Sequence, residues 1–312
     1  MIGSSFRQYT AIIVLGLSMT LPVVAAEQAA ATSQQVKDVY PGLTSGALAS
    51  ARLAALPTGA LLRSGNVTIS QKDLDADIAK APAEMRAQLK NNGFFLLENR
   101  ATRELLLAEA KAWAKQTNRA PNNEESALLQ AYFGDLTSNV VVTDDEIKVF
   151  YFDNKGMMGG ATFDQVKDQV KDYLLNERRE KAVDAHIGSI GDRTAIEVSK
   201  TWTAKQYVLA MNNPVDKARK SGKPTMVDFG ADGCQPCEMM TPILAALKKE
   251  YAGKLNLLFV HVRKEQVLGA RFGVSSIPLQ VFYDKSGKEF FRHVGFFSKA
   301  QIVAKLAEMG VK

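Results

Sequence analysis

The sequence predicts an α/β domain in its last third, preceded by a mainly α-helical region, and two patterns carry that prediction. From about residue 205 onward, short apolar runs alternate with helical patterns, as strands and helices do in an α/β layer. Between residues 61 and 199, apolar residues recur instead at spacings of three and four, the period of amphipathic helices. The chain has 312 residues, 46% hydrophobic and 23% charged, enough for about two domains with ordinary cores. Its net charge is +6, with basic residues interleaved among acidic ones rather than gathered in a block. That argues for a solvated surface and against nucleic acid as a partner.

Residues 1–26 carry one charged side chain, Arg7, then an apolar stretch over 11–24 and the small-residue end Val24-Ala25-Ala26. This reads as a secretory signal peptide. The run is too short, and broken by Pro22, for a membrane anchor. No cysteine follows the cleavage site, which speaks against a lipid anchor, so the expectation is an exported, soluble, periplasmic or similarly located protein. Residues 27–60 are rich in Ala, Ser and Thr and read as a flexible leader with one short helix over 47–56.

The helical region, 61–199, opens with a short strand at Val67-Thr68-Ile69, and Ser70-Gln71-Lys72-Asp73 is a helix start. Phe94, Leu97, Ala101, Leu105, Ala108 and Ala112 then mark one face of a long helix ending near Trp113. Another helix is predicted over 125–133. Thr143-Asp144-Asp145-Glu146 forms a capping box for a helix through Ile147, Phe150 and Tyr151. Gly156, Gly159 and Gly160 break the chain before a last long helix, 163–187, and a strand at 195–198 closes the region.

Residues 200–312 form the second domain with its linker, where Trp202, Tyr207 and Met211 can pack at the junction. Asn213-Pro214 opens a helix. Strands follow at 225–229 and 257–262, a helix at 265–271, and a hairpin at 279–283 and 289–293. Ser298-Lys299-Ala300-Gln301 caps the last helix.

The only two cysteines, Cys234 and Cys237, lie where the strand 225–229 passes into a helix. There Cys234 faces unpaired N–H groups and the positive helix end, which favours its thiolate. Cys237, turned inward, can resolve a mixed disulfide. Zinc would require four Cys or His ligands, and His186, His261 and His293 have no ligand spacing to the pair, so no metal is expected. Glu238 stands where haem attachment requires histidine. In an exported chain two cysteines in one motif suit exchange rather than stapling.

Residues 205–312 resemble thioredoxin. The resemblance rests on Val227-Asp228-Phe229, Cys234-Gln235-Pro236-Cys237, Pro242, Gly273-Val274-Ser275-Ser276-Ile277-Pro278, Asp284-Lys285-Ser286-Gly287 and Val294-Gly295, and residues 254–278 follow the family pattern without a gap. It implies a central mixed sheet flanked by helices and no cofactor. It makes Asp228 the buried proton acceptor behind Cys237, and Pro278 a cis proline facing the cysteines. Ile277 and Gly295 fall beside the substrate. Gly230 and Gly233 replace the two tryptophans flanking the family's active-site loop, which should loosen that loop and open access to Cys234. Phe259 replaces a buried lysine opposite Asp228, so desolvation should raise the Asp228 pKa. His261 reads as a packed or edge histidine rather than a base, Met239 and Met240 as core. Phe296 and Phe297 stand equally for a substrate groove or core packing.

Residues 61–199 are similar to the peptide-binding part of SurA-type chaperones, on Val67-Thr-Ile-Ser-Gln-Lys-Asp-Leu-Asp-Ala-Asp77, Arg103-Glu-Leu-Leu-Leu-Ala-Glu-Ala110 and Val142-Thr-Asp-Asp-Glu-Ile147. No stretch remains for that family's isomerase domain. The two resemblances together imply a thiol–disulfide oxidoreductase that reduces or isomerises disulfides in unfolded or disulfide-containing client proteins. A membrane thiol-reductant relay would supply electrons. The alternative is a redox-inactive holdase that uses its second domain only for binding. Gln235-Pro236 adds no cation, and Asp232 and Glu238 add negative charge, so the expected potential lies on the reducing or isomerase side, below roughly −180 mV.

Overall fold

The computed structural model describes residues 34–119 and 124–312. The expected signal peptide, 1–26, and the first part of the leader lie outside the described residues. The first sheet consists of β1 (Arg52–Ala54), β2 (Ala60–Ser64), β3 (Val67–Ser70) and β4 (Glu197–Ser199), in the order β1-β4-β2-β3. β2 and β3 form a hairpin whose Gly65 has φ 53°, a left-handed conformation that glycine adopts without a steric penalty. β4 returns after the whole helical excursion to lie parallel to β1 and antiparallel to β2.

The region is mainly helical, as the sequence predicts, and it also carries this four-stranded sheet. β1 and β2 are absent from the sequence reading because strands of three and five residues give little periodic signal. The leader reading fails for residues 35–59. Val36 and Leu48 have no exposed surface, and Leu43, Ala47 and Ala51 join them in the first core. Helix α1 is Val36–Val39, and the helix expected over 47–56 is replaced by turns and β1. Composition suggests a loose segment, but Val36, Leu43 and Leu48 are buried in the first core.

The helices of this region are α2 (Gln71–Lys80), α3 (Ala83–Asn91), α4 (Gly93–Thr117), α5 (Glu125–Leu136), α6 (Asp144–Asp153), α7 (Phe163–Gly188) and α8 (Ile190–Arg193). Local chemistry starts two of them: Ser70 accepts from the Asp73 N–H and Thr143 from the Glu146 N–H, with both acids reaching back in capping boxes. Phe94, Leu97, Ala101 and Leu105 of α4 pack against Leu62, Ile69 and Leu74. Glu146 and Arg178 tie α6 to α7.

The second sheet is β5 (Thr225–Gly230), β6 (Asn256–His261), β7 (Leu279–Tyr283) and β8 (Glu289–Val294), in the order β6-β5-β7-β8. β6 runs parallel to β5 and the other pairs are antiparallel, giving a mixed sheet. Every residue of β5 is buried, because both faces are covered. Val227 and Phe229 face α10 (Pro214–Arg219) and α12 (Gln266–Arg271) through Val215, Leu268 and Phe272. Met226 packs on the other face with Met240 and Leu244 of α11 (Gln235–Glu250) and Ile302 and Leu306 of α13 (Lys299–Glu308).

Residues 34–312 form one compact unit. Helix α9 (Lys200–Ala210), assigned by sequence to the second domain, packs Trp202 and Tyr207 against the first core, with Met211 just beyond it. Arg271 of α12 donates to the Ala210 and Gly42 carbonyls and pairs with Asp216 at 2.8 Å, both side chains being almost fully buried. From the other side, the Gln88 amide of α3 donates to the Lys264 carbonyl and accepts from the Val267 N–H. Leu89 of that helix packs with Val267.

If residues 34–59 are core, Leu48→Ala should destabilise the protein by about 2–5 kcal/mol. A change below about 0.5 kcal/mol, the range of surface substitutions, in urea unfolding would restore the flexible-leader reading.

Candidate active site

Strand alternation sets the site. Met226, Asp228 and Gly230 share the β5 face that packs on α11, so Asp228 lies under the start of that helix. A Cβ built on Gly230 would stand 3.5 Å from the Cys237 Cβ, which fixes how closely the strand end and the helix approach. Cys234 is the N-cap of α11, and its Sγ accepts from the Cys237 N–H at 3.3 Å. Cys234 is half-buried and Cys237 is 6% exposed. The two are joined as a disulfide. An outer sulfur at the helix end and an inner one behind it are the arrangement that thiol exchange requires, since the attacking sulfur needs both access and a stabilised thiolate.

Asp228 has no exposed surface. Burial pushes its carboxyl up to about 6, opposed by a hydrogen bond from the Gln280 amide to Oδ1 at 2.8 Å. Gln280, also fully buried, is the antiparallel partner of Asp228 on β7. Asp228 Oδ2 and Gln280 Oε1 are both buried acceptors without a partner. A proton on Oδ2 makes that oxygen a donor, which fits a carboxyl that stays neutral well above the usual range. The sequence reading missed Gln280, although a lone amide in the apolar run Leu279-Gln280-Val281-Phe282-Tyr283, opposite a buried acid, was a signal.

The Ile277–Pro278 peptide bond is cis. The Ile277 carbonyl oxygen lies 3.9 Å from Cys234 Sγ. Gly295 donates its N–H to the Pro278 carbonyl at 2.8 Å with φ 99°. Thus Ile277 lies beside Cys234, and Gly295 is held to Pro278, the next residue.

Comparison with known proteins accords with this geometry. The thioredoxin family model matches residues 207–308. The chain is 32% identical to the thioredoxin of Alicyclobacillus acidocaldarius subsp. acidocaldarius over 93 residues, which are 30% of this chain and 88% of that protein. The chain belongs to the thioredoxin family. It is a thiol–disulfide oxidoreductase of the C-x-x-C type. Two further relatives are the thiol:disulfide interchange protein TxlA homolog of Synechocystis sp., 37% identical over 26% of this chain and 47% of that protein, and the chloroplastic thioredoxin-like protein HCF164 of Oryza sativa subsp. japonica, 31% identical over 39% and 47%.

Several particulars differ from the family pattern as read in sequence. Gly230 does not loosen the loop: it is the buried last residue of β5, and the Phe259 ring occupies the space over it, 2.9 Å from a Cβ built there. Aromatic cover is therefore returned from β6. Gly233, with φ 70°, is the glycine that the turn itself requires. The charge of Asp232 is met by His261, whose Nε2 lies 3.0 Å from Oδ2, and this bond holds the Asp232 carboxyl below the usual range. Met240 is core as expected, but Met239 is 50% exposed, on the outer side of the helix. The aromatic pair divides: Phe297 is buried against Phe282 and His293, and Phe296 is exposed.

Two outcomes follow from Asp228. A carboxyl raised from 3.8 to about 6 favours the folded state fully only below pH 4, and that contribution is lost as pH rises through 6. Asp228→Asn should therefore gain stability on the order of 3 kcal/mol at pH 8 and nothing at pH 4, measured by denaturant unfolding of the oxidised form. An equal gain at both pH values would show that ionisation is not the cause. Gln280→Met keeps the volume but removes the donor to the carboxylate. It should move the Asp228 midpoint, read by carboxyl NMR, up by about one pH unit, whereas an unmoved midpoint would deny the hydrogen bond its role.

Proposed function

We propose that this protein acts outside the cytoplasm, reducing or isomerising disulfides in unfolded polypeptides that its first region helps to hold. The observation that carries the chemistry is the layering of the site: half-exposed Cys234 at the helix end, buried Cys237 behind it, and Asp228 with a pKa of about 6 beneath. In the reduced form the Cys234 thiolate attacks one sulfur of a client disulfide, forming a mixed disulfide and releasing the first client thiolate. Asp228 then takes the Cys237 proton. The Cys237 thiolate attacks Cys234 Sγ, which forms the internal disulfide and releases the second client thiolate. Two electrons pass to the client. Ile277 and Pro278 align the client backbone, and Gly295 leaves it room. A thiol donor, a membrane relay by this reading, restores the dithiol. In isomerisation the client's own thiol displaces Cys234, with no net electron transfer.

The client-holding role is supported by α6 and α7, which expose Val149 (59%), Phe152 (64%) and Tyr173 (56%) on one helical hairpin. Large apolar side chains exposed on such a hairpin suit unfolded chain segments. The similarity to SurA-type chaperones and the signal-peptide reading of residues 1–26 point the same way.

One trapping experiment tests both parts. The Cys237→Ser protein should retain disulfide-bonded clients as covalent mixed disulfides, and Cys234→Ser should retain none. Val149→Asp with Phe152→Asp in the trapping protein should lower capture of a polypeptide client several-fold, while capture of a small disulfide continues. Equal trapping by the two cysteine variants would overturn the roles of the sulfurs. Unchanged polypeptide capture would remove the helical hairpin from client holding.

A further inference from the structure

β6 is an edge strand, and its free edge opens into a cleft. The Asn256 N–H bonds the Pro224 carbonyl and the Val262 N–H the Gly230 carbonyl. In a parallel ladder this phase turns the N–H and C=O groups of the intervening residues Leu257 and Phe259 away from β5. Neither residue's backbone makes a hydrogen bond among the described residues. Beside Phe259 lies a cavity of about 350 Å³, with Leu258, Phe259 and His261 on one wall. Asn91, Asn92 and Leu209, from the end of α3 and from α9, line the other. Asn92 is 9% exposed and its Oδ1 is a buried acceptor without a partner. His261 Nδ1 is likewise buried and unpaired.

We infer that this cleft takes a short extended stretch of client polypeptide, added as a strand to the β6 edge. The inference rests on the client-disulfide reading above and names where the client's chain lies. A strand is the ligand whose N–H and C=O groups match an open edge. The carboxamides opposite offer donors and acceptors of the peptide kind, and half-exposed Phe259 and Leu209 offer apolar contact to its side chains. The cleft also shares two residues with the surroundings of the redox centre. Phe259 covers Gly230 in front of Cys237, and His261 holds Asp232, two residues before Cys234. A chain seated on β6 therefore leads toward the attacking sulfur.

The test uses the full-length oxidised protein and carboxymethylated insulin B chain, an unstructured peptide without thiols, so that binding is read apart from exchange. Binding should slow hydrogen exchange at the Leu257 and Phe259 amides. Phe259→Pro removes an outward N–H and leaves the ladder to β5 intact, and Leu209→Trp fills the cleft from the opposite wall; each should weaken binding at least ten-fold. Unchanged affinity in Leu209→Trp, or protection only at amides outside β6, would overturn the inference. So would faster exchange at both amides, in the absence of peptide, once residues 1–33 are removed, since the occupant would then be the chain's own leader. Reduction of a small aromatic disulfide by the reduced unmodified protein reads the redox assignment separately. Peptide binding that fails while this reaction runs therefore counts against the cleft alone.

Discussion

The buried ion pair between Arg271 and Asp216 is the constraint on which the rest of the molecule depends. Its two side chains are 6% and 2% exposed, and the same guanidinium donates to carbonyls of Ala210 and Gly42. One side chain thus joins the second sheet's helices to α9 and to the segment before β1. A buried charge deprived of its partner costs about 3–5 kcal/mol, so these elements hold one relative position. That position sets the wall of the cleft opposite β6. It also places the end of α9 in the cleft that Phe259 and His261 line.

Within the second sheet, burial does the chemical work. A strand covered on both faces has no room for an ionised carboxylate, yet β5 carries Asp228 at its centre, and the result is a group that exchanges protons near pH 6. Gln280 moderates the desolvation from the neighbouring strand. Phe259 completes the same row across the sheet, opposite Asp228 in register, and shields the strand end where Cys237 approaches. The ring supplies aromatic cover at the strand end, and the amide supplies a neutral donor to Asp228.

What was legible in the sequence follows from how local each signal is. Ser70, Thr143 and Ser298 announced their helices because a capping box lies within four residues. The C-x-x-C helix start was legible for the same reason, as was the desolvation of Asp228 in an apolar run. Of the first sheet, β3 and β4 were legible as short runs, but β1, β2 and the sheet itself were not, since its pairing of Arg52 with Glu197 joins the two ends of the region and leaves no periodic trace. Residues 35–59 were misjudged because Ala, Ser and Thr dominate their composition, while Val36, Leu43 and Leu48 do the packing. The exposure of Met239 and the split between Phe296 and Phe297 depend on how α11 and the last loop rotate, which no spacing of residues records.

The return of β4 between β1 and β2 has a consequence for the region's architecture. Everything from α2 to α8 leaves the sheet after β3 and comes back at β4, so in polymer terms it is one loop whose two ends are held on either side of β2 by strand pairing. The entropy of closing such a loop grows only with the logarithm of its length, about 0.6 kcal/mol for each doubling. The outer helices can therefore lengthen, shorten or diverge at little cost to the sheet or to the redox domain beyond it. The helical excursion is thus the part of the chain whose size the fold constrains least.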